Sequence, residues 1–340
     1  MPLQISLKLR KIELYSLVMN CLEFIFLSGK GRLTKLVLLS QNYNFAIMLI
    51  IIDHQELFGY GHYVIIGYIY KTKLFINMFF SYRGGRIHYS DSGNGNVIVL
   101  LHGYLESSEV WNGFVEKLAS KGRIISVDLP GHGLSDVYGE VHTMEFMAMA
   151  IKELLDKLSI NKACLIGHSL GGYVTLAFLE LFPDHLYGYC LFHSQPFPDP
   201  PAALEKRMRE IEIVKMGKKN LMYPDNVIRM FAPSNLEKFS DALQRSKDIA
   251  SRIPGEGIIA VLNGMMIRPS RLSFMEEGRI PCLWILGSMD SYIPCDLIQS
   301  RVKLPPNAKT VILKRSGHLG FIEEEENSTR AITEFVNKIS

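Results

Sequence analysis

Cysteine is scarce in this 340-residue chain. The five present are Cys21, Cys164, Cys190, Cys282 and Cys295. An odd count without any CxxC spacing argues against a disulfide framework and against a zinc site. Cys164, Cys190 and Cys282 fall in or beside apolar strand-like runs, which reads as buried free thiols in a reducing, cytoplasmic compartment. Charge of one sign is also lacking. The net charge is +3 and no basic block alternates with aromatics, so neither nucleic acid nor an anionic membrane is indicated as a partner. The run Glu323–Glu326 reads as a solvated helix start.

Alanine is almost absent from residues 1–77, where Ala46 stands alone. Long apolar runs are missing too. The longest uncharged stretch, 36–52, is broken by Ser40, Gln41, Asn42 and Asn44 and makes no clear membrane span. Lys8, Arg10 and Lys11 precede an apolar stretch in the manner of a secretory leader. Glu13 and Glu23 lie in or beside that stretch, and no A-x-A site follows. The segment carries no functional motif. It reads as an N-terminal extension of open role: either foreign to the natural protein, which would then start at Met78, or a docking or membrane-associating extension.

From Met78 onward strands and helices alternate. Residues 86–90, 97–101, 123–128, 163–166, 187–192, 282–286 and 309–313 read as strands. Residues 111–121, 143–158 and 171–181 have helical spacing. This alternation predicts an α/β fold, a mostly parallel sheet with helices on both faces. It stops after Pro196, Pro198, Pro200 and Pro201. Helix-like stretches follow at 202–216, 225–231 and 236–251, so 195–268 reads as a helical insertion dividing a core of 78–194 and 269–340.

Gly167-His168-Ser169-Leu170-Gly171 fits G-x-S-x-G between a strand and a helix. The turn is sharp, and bulk at either flanking position would collide across it. Ser169 is thereby the candidate nucleophile. A serine hydroxyl needs a base, and the base an orienting acid. His318 follows the last strand and Asp290 the strand before it. Asp199, after an earlier strand, is the alternative acid. Two N–H donors must meet the developing oxyanion. Leu170 and Tyr104 are the candidates, with Gly103 allowing a close approach to substrate. His102, Asp128 and Ser135 read as structural. Metal binding by His132 and His168 is not indicated, since no carboxylate or thiol has ligand spacing.

On His102-Gly103-Tyr104, Asp128–Ser135, Gly167–Gly171, Asp290 and His318, residues 86–340 resemble the α/β-hydrolase fold family. That resemblance implies a helical cap over the active site and no cofactor or metal. It implies a serine hydrolase that cleaves a carboxylic ester or related acyl bond of a small, largely apolar substrate. Carbon–carbon bond hydrolases and cofactor-free haloperoxidase-like enzymes look similar, and a non-catalytic ligand-binding member is the alternative of another class. Met208, Met216, Met222, Met230, Met265 and Met266 would line the cap or form its own core. Glu205, Glu210 and Glu212 read as a solvated face, with amine recognition as the other option. Oligomeric state leaves no mark in the sequence.

Overall fold

The computed structural model describes residues 32–37, 49–53, 63–66, 78–120 and 122–339. The chain divides into two units, Met1–Leu74 and Phe75–Ser340. In the first, strands β1 (Arg32–Val37), β2 (Leu49–Asp53) and β3 (Tyr63–Ile66) form an antiparallel sheet in that order. The rest of 1–77, with Cys21 and the leader-like stretch, lies outside the described residues. Among the described residues no helix is long and apolar enough to cross a membrane.

The second unit opens with β4 (Met78–Tyr82), which the alternation pattern misses, and β5 (Gly85–Ser92), antiparallel to each other. Then come β6 (Val97–Leu101), α1 (Asn112–Leu118), β7 (Arg123–Val127), α2 (Met144–Lys157), β8 (Ala163–His168), α3 (Leu170–Leu181) and β9 (Leu186–Phe192). The insertion holds α4 (Pro201–Lys215), α5 (Tyr223–Ile228), α6 (Ser240–Arg252) and α7 (Gly255–Met266). After α8 (Leu272–Glu276) the chain returns through β10 (Cys282–Gly287), α9 (Cys295–Gln299), β11 (Ala308–Leu313), α10 (Gly320–Glu323) and α11 (Glu325–Ile339).

The eight strands of this unit are ordered β11-β10-β9-β8-β6-β7-β5-β4. From β7 to β11 every pairing is parallel. β6, β8 and β10 are buried at every residue, as strands covered on both faces must be. Each buried aliphatic side chain there contributes about 1.5–3 kcal/mol. Cys164, Cys190, Cys282 and Cys295 are buried free thiols. The serine, aspartate and histidine candidates all leave the carboxyl ends of parallel strands, where crossovers open a crevice.

Candidate active site

Ser169 sits between β8 and α3 with φ 49° and ψ −110°, a conformation that costs about 1–3 kcal/mol for a non-glycine residue. Its N–H donates to the Phe192 carbonyl at 3.0 Å, and its carbonyl accepts from Ser194 Oγ at 2.7 Å. A Cβ on Gly167 would lie 2.2 Å from the Gly171 carbonyl oxygen, and one on Gly171 would lie 2.2 Å from that of Leu101. Only glycine fits at either place. The surrounding hydrogen bonds and packing therefore hold the strained serine, leaving its side chain on the wall of a cavity.

His318 follows β11 and shares that cavity. Its Nδ1 donates to Asp290 Oδ2 at 2.7 Å. Asp290 Oδ1 accepts the N–H groups of Tyr292 and Ile293, at 2.8 and 2.9 Å. Burial alone would raise the Asp290 pKa. The attraction of His318 and the N–H groups of both neighbouring histidines outweigh it, and the carboxyl stays ionised well below its ordinary 3.8. Asp199 is engaged elsewhere, on Arg207 and Arg268. Among the described residues the Ser169 hydroxyl makes no hydrogen bond. Such contacts commonly tighten only when substrate arrives.

His193 is the second histidine on Asp290, and no motif in the sequence points to it. It is fully buried, with φ 48° directly after β9. Its Nε2 accepts the Gly320 N–H at 3.0 Å, so Nδ1 carries the proton. That Nδ1 stands 3.3 Å from Asp290 Oδ2, outside good hydrogen-bond alignment. Burial pushes the His193 pKa down to about 4, keeping the ring neutral. His193, Asp290 and His318 bring three ligand-type atoms within 4.8 Å of one another. Both Nδ1 atoms carry protons that face one carboxylate, so the set offers an ion no converging lone pairs.

The loop after β6 carries Tyr104. Its N–H and that of Leu170, the first residue of α3, donate to no group among the described residues. A helix N-terminus leaves such donors free. Beneath them lies a buried pair absent from the sequence reading. Glu106 Oε2 accepts Gly103 N–H at 2.5 Å and His168 Nδ1 at 2.9 Å, while His168 Nε2 meets the His318 carbonyl at 2.8 Å. Two acceptors require two ring N–H groups, so His168 is a cation. Burial would lower its pKa, but Glu106 and the His318 carbonyl raise it instead. Gly103 is glycine for this reason rather than for substrate approach: a Cβ there would lie 2.7 Å from His168 Nδ1 and 2.8 Å from Glu106 Oε2.

His102 is structural in its contacts, with Nδ1 on the Gly103 carbonyl and Nε2 accepting the Leu129 N–H. Asp128 accepts from Ser108 N, Leu134 N and His88, and Ser135 Oγ donates to the Asp128 carbonyl. The acidic run corrects an expectation. Glu323 and Glu324 are buried, not solvated. Glu323 takes the N–H groups of Ala232 and Gly317, and Glu324 those of Arg315 and the Ser316 hydroxyl. Backbone donors of the His318 loop need acceptors, and these carboxylates supply them.

The cavity is about 210 Å³. Tyr104, Tyr173, Met230, Met265 and Ile293 supply apolar lining. Only Met230 and Met265 of the six methionines reach it, whereas Met208 and Met216 are exposed. Helix α4 brings Lys206, Arg207 and Glu210 to the wall. Glu210 is buried, accepting from Asn226 at 3.0 Å, while Glu205 and Glu212 are exposed as expected.

Residues 96–234 match the family model of the α/β hydrolase fold. The 2-hydroxy-6-oxononadienedioate/2-hydroxy-6-oxononatrienedioate hydrolase of Burkholderia vietnamiensis is 28% identical over 268 residues, covering 74% of this chain and 91% of that protein. A pimeloyl-acyl-carrier-protein methyl ester esterase of Aeromonas hydrophila is 26% identical over 254 residues, 72% of this chain and 96% of its own. The structure of a thermophilic esterase from Thermogutta terrifontis superposes with a TM-score of 0.73 at 28% identity, covering 78% of this chain and 99% of that one. The chain has the α/β-hydrolase fold.

Proposed function

We propose that the protein is a serine hydrolase that cleaves a small carboxylic ester or related acyl bond through an acyl-enzyme. One observation carries the reading. A strained serine and a carboxylate-paired histidine line one cavity, beside two backbone N–H groups with no partner among the described residues. Ser169 Oγ attacks the acyl carbon while His318 takes its proton. The oxyanion is held by Leu170 and Tyr104 N–H. His318 returns the proton to the leaving oxygen, and the alcohol departs. Asp290 orients the imidazole and stabilises its cation. Water then attacks the acyl-enzyme with His318 again as base, releasing the acid. The helices of 195–268 act as a cap that sets which acyl group enters.

Carbon–carbon bond hydrolysis is the second reading, favoured by the activity named for the Burkholderia relative. The two separate on substrates: esters against vinylogous diketones. Ser169→Ala should lower kcat on p-nitrophenyl esters by about 10³ or more and abolish labelling by a fluorophosphonate. Wild-type turnover by that variant, verified as folded, would refute the assignment of Ser169.

A further inference from the structure

Of the charged groups around the cavity, the most telling lie where α4 begins. The buried Asp199 carboxylate accepts from the Arg207 guanidinium and is ion-paired with that of Arg268. Arg207 reaches it through Nε at 2.5 Å and Nη2 at 3.2 Å, and Arg268 Nη2 lies 2.8 Å from Oδ1. The Asp199 side chain is 4% exposed and that of Arg268 2%. A buried guanidinium and a partly exposed one thus share one anion. Arg268 is further occupied by the Tyr173 ring, 4.0 Å below its guanidinium carbon. Arg207 lines the cavity with Ser169, and its Nη1 has no hydrogen-bond partner among the described residues.

The neighbouring charges offset this excess. Lys206 Nζ stands 3.6 Å from Glu210, a neutral pair overall. Arg229, over the Tyr292 ring, adds one positive charge, and Asp290, behind His318, adds one negative. The charges of the cavity wall therefore balance, and the surplus positive charge is that of the exposed, solvent-screened Arg229. What the wall leaves open to a ligand is a donor, the Nη1 of Arg207. Arg207 can offer further N–H donors of the planar guanidinium fork, a geometry suited to carboxylate oxygens. One open guanidinium donor and a cavity of about 210 Å³ fit a carboxylate better than a phosphate dianion.

We propose that the substrate carries a carboxylate, received by Arg207 with Lys206 beside it, some distance from the bond that Ser169 attacks. The proposal rests on the serine-hydrolase reading and narrows its substrate to short anionic esters. The expectation of a largely apolar substrate then describes only its middle. The hydrolysis balances as ester plus water giving acid plus alcohol, with the distal carboxylate unchanged.

The test uses the full-length protein and matched substrates. p-Nitrophenyl hydrogen glutarate is p-nitrophenyl butyrate with a terminal carboxylate added. Butyryl glycolate places the charge on the leaving side, against ethyl butyrate. One anionic ester should exceed its neutral partner at least tenfold in kcat/KM, mostly through KM. Arg207→Gln should bring that ratio near one, and Arg207→Lys should restore part of it. Lys206→Gln should lower it by a smaller factor. No preference for either anionic ester overturns the proposal. So does a loss in Arg207→Gln that is equal for charged and neutral esters, since that marks a purely structural role. Calorimetry on Ser169→Ala with whichever matched pair shows the preference reads binding without turnover, and equal affinities within that pair also overturn it. Fluorophosphonate labelling reports on Ser169 separately. Labelling without anionic preference sinks only this proposal, whereas no labelling and no Ser169-dependent turnover sinks the underlying reading.

Discussion

At the scale of single residues, Asp290 has more to hold than a serine–histidine pair requires. One of its oxygens faces two imidazoles, and the other is pinned by two backbone N–H groups. A carboxylate so restrained fixes the ring plane of His318. His193 contributes by filling the far side of Oδ2 with a neutral N–H and by accepting from Gly320 at the start of α10. In the proposed reaction it is a positioning residue, since it lines no part of the cavity. His193→Phe should lower kcat about tenfold with little change in KM, because misplacement of a base raises the barrier without loosening ground-state binding. His193→Gln keeps a donor and an acceptor and should recover much of that loss. Steady-state kinetics on one ester decides it: a change confined to KM would show that His193 shapes the binding surface instead.

Among elements, the parallel strands and the helices between them were legible because period and β-branched runs report burial directly. The elbow was legible because G-x-S-x-G between a strand and a helix is a steric necessity. Helix α7 was not. Gly255, Gly257 and Gly264 depress its helical propensity, yet a Cβ on Gly264 would lie 1.8 Å from the His142 carbonyl oxygen. Close packing against the 142–143 segment overrides propensity there. The Glu106–His168 pair was equally hidden, because 62 residues of sequence separate its members. It ties the β6 loop to the β8 turn and, through the His318 carbonyl, to the loop after β11. Glu106→Gln removes the anion and leaves a buried imidazolium unpaired. Such a break costs about 3–5 kcal/mol. Thermal unfolding should show a correspondingly lower Tm, with fluorophosphonate labelling slowed in whatever protein remains folded. An unchanged Tm would mean that His168 is neutral and the contact an ordinary hydrogen bond.

For the molecule as a whole, the buried histidines set its response to acid. Burial lowers His132 to about 3, and lowers both His142 and His193 to about 4, from an ordinary 6.5. Between pH 6.5 and about 4 the unfolded chain therefore binds protons that the folded chain refuses. Stability must fall as pH drops through this window. His168 acts oppositely. Its raised pKa gives stability that is complete below 6.5 and lost only as pH rises through its folded value, so it cannot flatten the acid side. Below about 4 the lowered carboxyls continue the decline, Asp128 at about 2 among them. Even at half the full linkage, three such histidines amount to roughly 5 kcal/mol, or on the order of 10 °C in Tm. His132 offers the sharpest control, because neither of its ring nitrogens is hydrogen-bonded. Replacing it with Phe removes a proton site without orphaning a partner. The Tm of His132→Phe should fall less steeply than wild type between pH 6.5 and 4, and the two curves should run parallel above pH 7. Parallel curves across the whole range would show that His132 takes up its proton without unfolding the protein.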